Sequence, residues 1–114
     1  MLNKRVHDKC EKLLDKLYGE CTYNEFAAAF DVAVRAYQRI SKNDPIFYHN
    51  NFYLGVISCE DRLISAVCNY YLDGNGQKEN LKEDIFPMIN ILSGNKDSIL
   101  AKELKNLFLS VYDN

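Results

Sequence analysis

Apolar side chains recur at three- and four-residue spacing in five segments of this chain, and this helical periodicity constrains its fold more than any other feature. The segments cover about residues 2–18, 22–40, 51–72, 78–92 and 98–112. In the first, one stripe is formed by Leu2, Val6, Cys10, Leu13 and Leu17. The pattern predicts an all-α domain of five to six helices packed as an irregular bundle.

Local signals predict where these helices begin and end. Gly19 is expected to stop the first helix, and Thr22 with Glu25 has the spacing of a capping box that opens the second. Asp44 followed by Pro45 suits the start of a short helical turn before the third segment. Two short apolar runs, residues 52–57 and 85–92, could alternatively be buried strands.

Pro87 lies in the middle of the fourth segment. Proline removes a backbone donor and crowds the preceding helical turn, so a kinked helix is expected near this residue. Turns rich in glycine at residues 73–76 and 93–95 separate the last three segments.

The length of 114 residues predicts a single domain, residues 1–114, with its own hydrophobic core. The hydrophobic fraction of 47% and the charged fraction of 26% are those of an ordinary globular protein. The residues expected in the core are Leu13, Leu17, Phe30, Val34, Leu63, Val67, Leu104 and Phe108.

The charge balance argues against nucleic acid as a general partner. With 14 basic and 16 acidic residues the net charge is −2, which is unlike a general nucleic-acid binder. No run of apolar residues is long enough for a membrane span, and a charged helix follows the N-terminus where a signal peptide would have an apolar stretch. A cytoplasmic protein that is a monomer or a weak homodimer is therefore expected.

The four cysteines are expected to be reduced thiols, because they lack the spacing of a metal-binding pair and a cytoplasmic chain rarely keeps disulfides. His7 and Cys10, three residues apart on one helix, would supply half of a zinc site. The other half would have to come from distant residues, so no metal and no cofactor is predicted.

No catalytic constellation is evident. His7 lies among charged residues and is expected to be solvated, whereas His49 lies among aromatic residues. The chain has no glycine-rich phosphate-binding loop. The adjacent acids in Glu60-Asp61 and Glu83-Asp84 point about 100° apart on a helix, so neither pair forms a dyad. The chain is therefore predicted not to be an enzyme.

Two features favour recognition of another protein. Residues 45–53 hold four aromatic residues and a histidine, and the four aromatic residues cannot share one narrow helix face. Residues 60–84 hold six acidic and three basic residues. The aromatic residues could instead cover the end of the bundle, and the acids could be an ordinary solvated face. The candidate partner-binding residues are Phe47, Tyr48, His49, Phe52, Tyr53, Glu60, Asp61, Glu83 and Asp84.

In its size, helical content, lack of a catalytic centre and acidic, aromatic-rich segment, the chain resembles the small helical immunity proteins of bacterial competition toxins of the contact-dependent inhibition type. The resemblance implies a non-catalytic inhibitor that binds and occludes a cognate toxin domain, such as a nuclease. Two alternatives remain open. One is a small helical adaptor or phage-encoded regulator that binds a host protein, and the other is an enzyme subunit whose site is completed by a partner.

Overall fold

The described part of the chain is helical throughout. The computed structural model describes residues 3–53, 55, 59–94 and 98–113. The α-helices are α1 (Lys4–Glu20), α2 (Tyr23–Asn43), α3 (Pro45–Tyr53), α4 (Glu60–Leu72), α5 (Leu81–Asp84), α6 (Phe86–Ser93) and α7 (Ile99–Tyr112), and a 3-10 turn covers Lys78–Asn80. These residues include no strand. The predicted all-α single domain is confirmed.

Side-chain caps open the helices where the sequence predicted them. The Thr22 hydroxyl accepts from the Glu25 N–H at 3.1 Å, and Glu25 Oε1 accepts from the Thr22 N–H at 2.8 Å, so both halves of the capping box form. Ser98 caps α7 in the same way, through the Ala101 N–H at 3.0 Å. Asp44 Oδ1 accepts from the Phe47 N–H at 3.2 Å and fixes the start of α3.

The predicted end of the first helix is wrong by one to two residues. Gly19 lies inside α1, which runs to Glu20 and is capped by the Cys21 N–H bonding to the Leu17 carbonyl. Cys21 and Thr22 then take extended backbone conformations that any residue adopts. A left-handed glycine is therefore not needed to turn the chain into α2.

The kink expected near Pro87 is confirmed. α5 ends at Asp84, and α6 begins at Phe86 with the proline in its first turn. Proline in a continuous helix would clash with the carbonyl four residues earlier, and the chain avoids this by breaking at Ile85. If α5 and α6 are counted as the two arms of one bent helix, the described residues form six helices, one of them bent by 37°.

Residues 85–92 belong almost entirely to α6, so the alternative strand assignment there is wrong. For residues 52–57, the first two end α3, whereas residues 54, 56 and 57 lie outside the described part of the chain.

The single long helix predicted over residues 51–72 is also wrong. Helix α3 starts six residues earlier than that prediction, at Pro45, and ends at Tyr53. Gly55 has a φ of 69°, a left-handed conformation that ends a right-handed helix, and its N–H bonds to the Phe52 carbonyl at 3.1 Å. The chain then starts a new helix, α4, at Glu60.

Helix α2 is the centre of the molecule, and α3, α4, α5 and α6 all pack against it. Six of the eight predicted core residues are buried, whereas Phe30 and Val34 on α2 are only partly buried and pack at the edge of the core. The radius of gyration is 13.1 Å, close to the value of about 13 Å for a compact domain of this length. Within the part of the chain that the structure describes, every helix is too short or too polar to span a bilayer.

Candidate functional site

Helix α3 is attached to the rest of the molecule mainly through one ring. The Phe47 side chain is half-buried between Tyr37 of α2, at 5.3 Å between ring centroids, and Tyr70 of α4, at 4.9 Å. The Tyr37 hydroxyl also donates to the Tyr48 carbonyl at 3.4 Å. No residue of α3 is fully buried. The helix therefore lies on the surface of the core and leaves most of its circumference open.

The open side of α3 carries four rings in two pairs. Tyr48 stacks on Phe52 with ring centroids 6.0 Å apart, and His49 meets Tyr53 edge to face at 4.6 Å. These four residues are called the aromatic face. Tyr48 is 44% exposed, Phe52 58% and Tyr53 74%. Because each pair has i, i+4 spacing, the helix itself holds the rings in contact.

The helical start expected at Asp44 and Pro45 is confirmed, and residues 45–53 form a helix of nine residues rather than a short turn. The prediction that the aromatic residues do not share one face is confirmed, since Phe47 points towards the core and the others do not. Ile46 was missed as a candidate although it is 71% exposed beside them. The signal in the sequence that could have identified Ile46 was its position directly after Pro45, the proline that begins the helix.

A polar cleft lies between α3 and the C-terminal half of α4, next to the aromatic face. Its volume is about 260 Å³. Asp44 and Asp73 contribute carboxylates, and Phe47 and Tyr70 form the aromatic part of its wall. The remaining lining residues are Ile46, Asn50, Asn51, Ala66, Asn69 and Asn75. We call this space the α3–α4 cleft. Neither carboxylate was predicted from the sequence, because one lies at the boundary before α3 and the other at the end of α4.

His7 holds one of these carboxylates in place. Its Nδ1 lies 2.9 Å from Asn69 Oδ1, and its Nε2 lies 2.6 Å from Asp73 Oδ1. The expectation that His7 is a solvated residue is therefore wrong, because the ring bridges α1 and the end of α4 and is largely buried. Its partners are more than sixty residues away in sequence, and nothing local indicates them.

The tyrosines beneath α3 are held as neutral hydroxyl groups. Burial raises the pKa of Tyr37, and the neighbouring Tyr48 adds to this effect. Burial also raises the pKa of Tyr70; the Asp44 carboxylate acts in the same direction, and Arg39 opposes it. Neither hydroxyl is thereby activated as a base.

The predicted acidic residues do not form one group. Glu60 and Asp61 are exposed in the first turn of α4, where negative charge also stabilises the helix N-terminus. The contacts between α3 and α4 involve the other end of α4, around Tyr70. Glu83 is exposed on α5.

Asp84 is not a surface charge, so its selection as a candidate partner-binding residue is wrong. It is 4% exposed and accepts hydrogen bonds from the Arg39 guanidinium and the Tyr71 hydroxyl. A buried carboxylate needs such partners, because water no longer solvates it. The residue therefore ties α5 to α2 and α4.

His7 and Cys10 both line a second cleft between α1 and α4, but the histidine ring is engaged by Asn69 and Asp73. Among the described residues, no group of three or more histidine, cysteine or acidic side chains is arranged to hold a metal ion. All four cysteines are free thiols in the structure.

Comparison of the chain with protein-family models, with curated proteins and with solved structures gives no match. The candidate site therefore rests on the geometry of this chain alone: an aromatic face on an uncharged helix, bordered by the α3–α4 cleft.

Proposed function

We propose that this protein binds another protein through the aromatic face of α3 and has no turnover of its own. One observation carries the proposal. Six large hydrophobic residues are strongly exposed in the described chain, and four of them, Ile46, Tyr48, Phe52 and Tyr53, lie on a helix without a charged side chain. The centres of protein interfaces show this composition, rich in aromatic residues and poor in charges.

The geometry of α3 suits an anchor. Large aromatic side chains bury much area and lose little rotamer freedom on binding. Here they are further restrained by the contacts within each ring pair, so that less order has to be imposed when the complex forms. An exposed helix of this kind inserts its side chains into a groove of the partner.

The carboxylates on and near α4 favour a partner with a basic surface. Asp44 and Asp73 lie in the α3–α4 cleft, and the exposed Glu60 and Asp61 add negative charge at the opposite end of α4. Such charges accelerate the encounter with a positively charged protein and disfavour acidic ones. A toxin that acts on nucleic acid needs a basic active-site face, which this acidic and aromatic surface would cover.

On this basis the specific function we propose is that of an immunity protein: it occludes the active site of a cognate toxin domain. The exposed aromatic face and the neighbouring carboxylates support this proposal, together with the resemblance in size and composition described above.

The proposal is tested by affinity capture with three baits, the wild type, the Tyr48→Ala/Phe52→Ala double variant and the Tyr23→Ala variant. Tyr23 is the matched control, because it is a tyrosine 80% exposed at the start of α2. A protein held by the wild type and by the control but not by the double variant is the expected partner. The isolated partner should then lose its toxic activity when mixed with this protein at equal concentration.

Kinetics of the isolated complex provide the second measurement. Tyr48→Ala should weaken binding by about 2 kcal/mol or more, roughly 30-fold, mainly through faster dissociation. Glu60→Lys should instead slow association at low salt. If the double variant retains every partner of the wild type, the proposed interface is wrong, and the basic residues of α1 become the next surface to examine.

A further inference from the structure

The α3–α4 cleft has the size and the charge of a site for one cationic side chain. Its volume of about 260 Å³ lies below the range of about 300–1,000 Å³ that is usual for the pockets of small-molecule ligands. Asp44 and Asp73 line it, and its described lining residues include no lysine or arginine. The cleft therefore attracts positive charge and is sized for a group smaller than a typical ligand.

The fold holds both carboxylates in place through one oxygen each. Asp44 Oδ1 accepts from the Phe47 N–H at 3.2 Å, and Asp73 Oδ1 lies 2.6 Å from His7 Nε2. Both acidic residues are half-buried. The second oxygen of each carboxylate remains to accept a hydrogen bond from a ligand. Because the side chains are already fixed, they lose little freedom when a ligand binds.

Aromatic rings and an ordered amide form another part of the wall. The Phe47 and Tyr70 rings meet at 62°, with their centroids 4.9 Å apart. Asn51 Nδ2 donates to the Phe47 carbonyl at 2.6 Å, which orients the amide, and its Oδ1 is a further acceptor. A cation is attracted to the face of an aromatic ring within about 6 Å of the ring centroid. The cleft thus combines acceptors for N–H donors with an aromatic surface.

A guanidinium group fits this combination better than an ammonium group or a metal ion. It is planar, stacks on aromatic rings and donates in a fork to carboxylates, and it is less strongly hydrated than the compact ammonium group of lysine. A calcium ion would need about six to eight oxygen ligands, and it would gain nothing from the rings.

We propose that the α3–α4 cleft binds a guanidinium group, and that in the complex proposed above this group is an arginine side chain of the partner. The second part rests on the proposed function, since it needs a partner on the aromatic face. Ile46 and Phe47 connect the two surfaces, because both belong to α3 and both line the cleft. Arginine is enriched at protein interfaces. An arginine in the cleft would fix the position of the partner along α3 and disfavour proteins that lack this residue.

The test is an NMR titration of the isolated protein, which needs no partner. The probe is N-acetyl-arginine-amide, whose guanidinium group is its only charge. The citrulline analogue, in which a neutral urea group replaces the guanidinium, is the matched control, and the lysine analogue presents an ammonium group. The arginine probe should shift the side-chain amide signals of Asn50 and Asn51 and the ring signals of Tyr70 in a saturable way. The citrulline analogue should bind more weakly by about tenfold or more, and the lysine analogue should bind more weakly than the arginine probe.

Two variants remove one charge each and keep the shape of the side chain. They are Asp44→Asn and Asp73→Asn. Asparagine is also a good N-cap, so Asp44→Asn keeps the start of α3 in place. Each variant should bind the arginine probe more weakly by about tenfold or more. Asp31→Asn is the matched control, because it makes the same change at an exposed position about three turns before the end of α2, and it should bind the probe as the wild type does.

Three results would overturn the guanidinium site: no saturable response at the cleft, equal binding of the arginine and citrulline probes, and unchanged affinity in both cleft variants. Equal binding of the lysine analogue would overturn the choice of arginine. The wild-type titration decides the matter even if a variant does not fold.

The titration and the affinity capture can fail separately. If the aromatic face captures a partner but the cleft does not respond to the probe, the arginine site is wrong and the proposed function stands. If the cleft responds but no partner is captured, the guanidinium site stands and the proposed function is wrong.

Discussion

Arg39 is the residue on which the buried polar network of the molecule depends. Its guanidinium donates to the Tyr71 hydroxyl at 2.9 Å and to the Asp84 carboxylate, and Tyr71 donates to the same carboxylate. The two charged partners differ in their access to water: the Arg39 side chain is 36% exposed, whereas the Asp84 side chain is 5% exposed. Removing one partner therefore has a different consequence from removing the other.

We predict that Arg39→Ala destabilises the protein more than Asp84→Ala. The first change leaves a buried carboxylate with only the Tyr71 hydroxyl and should cost about 3–5 kcal/mol. The second leaves a guanidinium that water can still solvate and should cost about 1–3 kcal/mol. Urea unfolding of both variants at neutral pH measures the difference. If Asp84→Ala destabilised the protein more than Arg39→Ala, the Arg39 guanidinium would not be the group that stabilises the buried Asp84 carboxylate.

This network also shows why single residues were harder to assign than helices. Asp84 follows another acid in a charged segment, which is the pattern of a solvated surface, and its partner Arg39 lies 45 residues away. His7 was misassigned for the same reason. Burial of a charged side chain depends on which residues of other helices face it, and helical periodicity does not contain that information.

At the scale of the helices, two glycines should respond in opposite ways to the same substitution. Gly19 lies within α1 with open space where a Cβ would be. Gly94 ends α6 with a φ of 64°, and a Cβ there would lie 2.7 Å from Glu25 Oε2.

We predict that Gly19→Ala stabilises the protein by about 0.5–1 kcal/mol, because alanine restricts the unfolded chain and favours the helix. Gly94→Ala should destabilise it by about 1–3 kcal/mol, because the left-handed backbone is strained for alanine. Differential scanning calorimetry of the two variants compares them directly. Equal shifts of Tm in the same direction would contradict the assigned backbone conformations.

The positions of the helices were predicted well from the sequence where the caps and the apolar stripes indicated the same segment, as in α2 and α7. The prediction failed at α3, because its apolar residues other than Phe47 do not face the core. Periodicity detects a helix by the stripe it buries, and α3 buries no residue fully. The aromatic face could be selected by composition, but the α3–α4 cleft needs side chains from two helices and a turn, which only the tertiary structure brings together.

At the scale of the whole molecule, the buried tyrosines determine how stability depends on alkaline pH. Burial raises the pKa of Tyr112 to about 12. Burial also raises the pKa values of Tyr18, Tyr37, Tyr70 and Tyr71. In an unfolded chain tyrosine loses its proton near pH 10. Between these two pKa values the folded state keeps protons that the unfolded state has lost.

We therefore predict that the free energy of unfolding falls as the pH rises from about 10 to 12, because the unfolded state binds fewer protons in that range. The contribution of these tyrosines is fully present below pH 10. Urea unfolding across a pH series measures the slope. Tyr112→Phe should make the slope shallower, whereas Tyr23→Phe, at an exposed position, should leave it unchanged. A free energy of unfolding that stays constant to pH 12 would refute this prediction.

The weak attachment of α3 has a consequence for how such a chain can diverge. The core is built by the other helices, and α3 is held mainly by the Asp44 cap, the inward Phe47 ring and the hydrogen bond from the Tyr37 hydroxyl to the Tyr48 carbonyl. The outward positions 46, 48, 49, 52 and 53 can therefore be exchanged in different lineages at little cost to folding. One scaffold can then present many different surfaces, and recognition can change within a few substitutions while the fold stays the same.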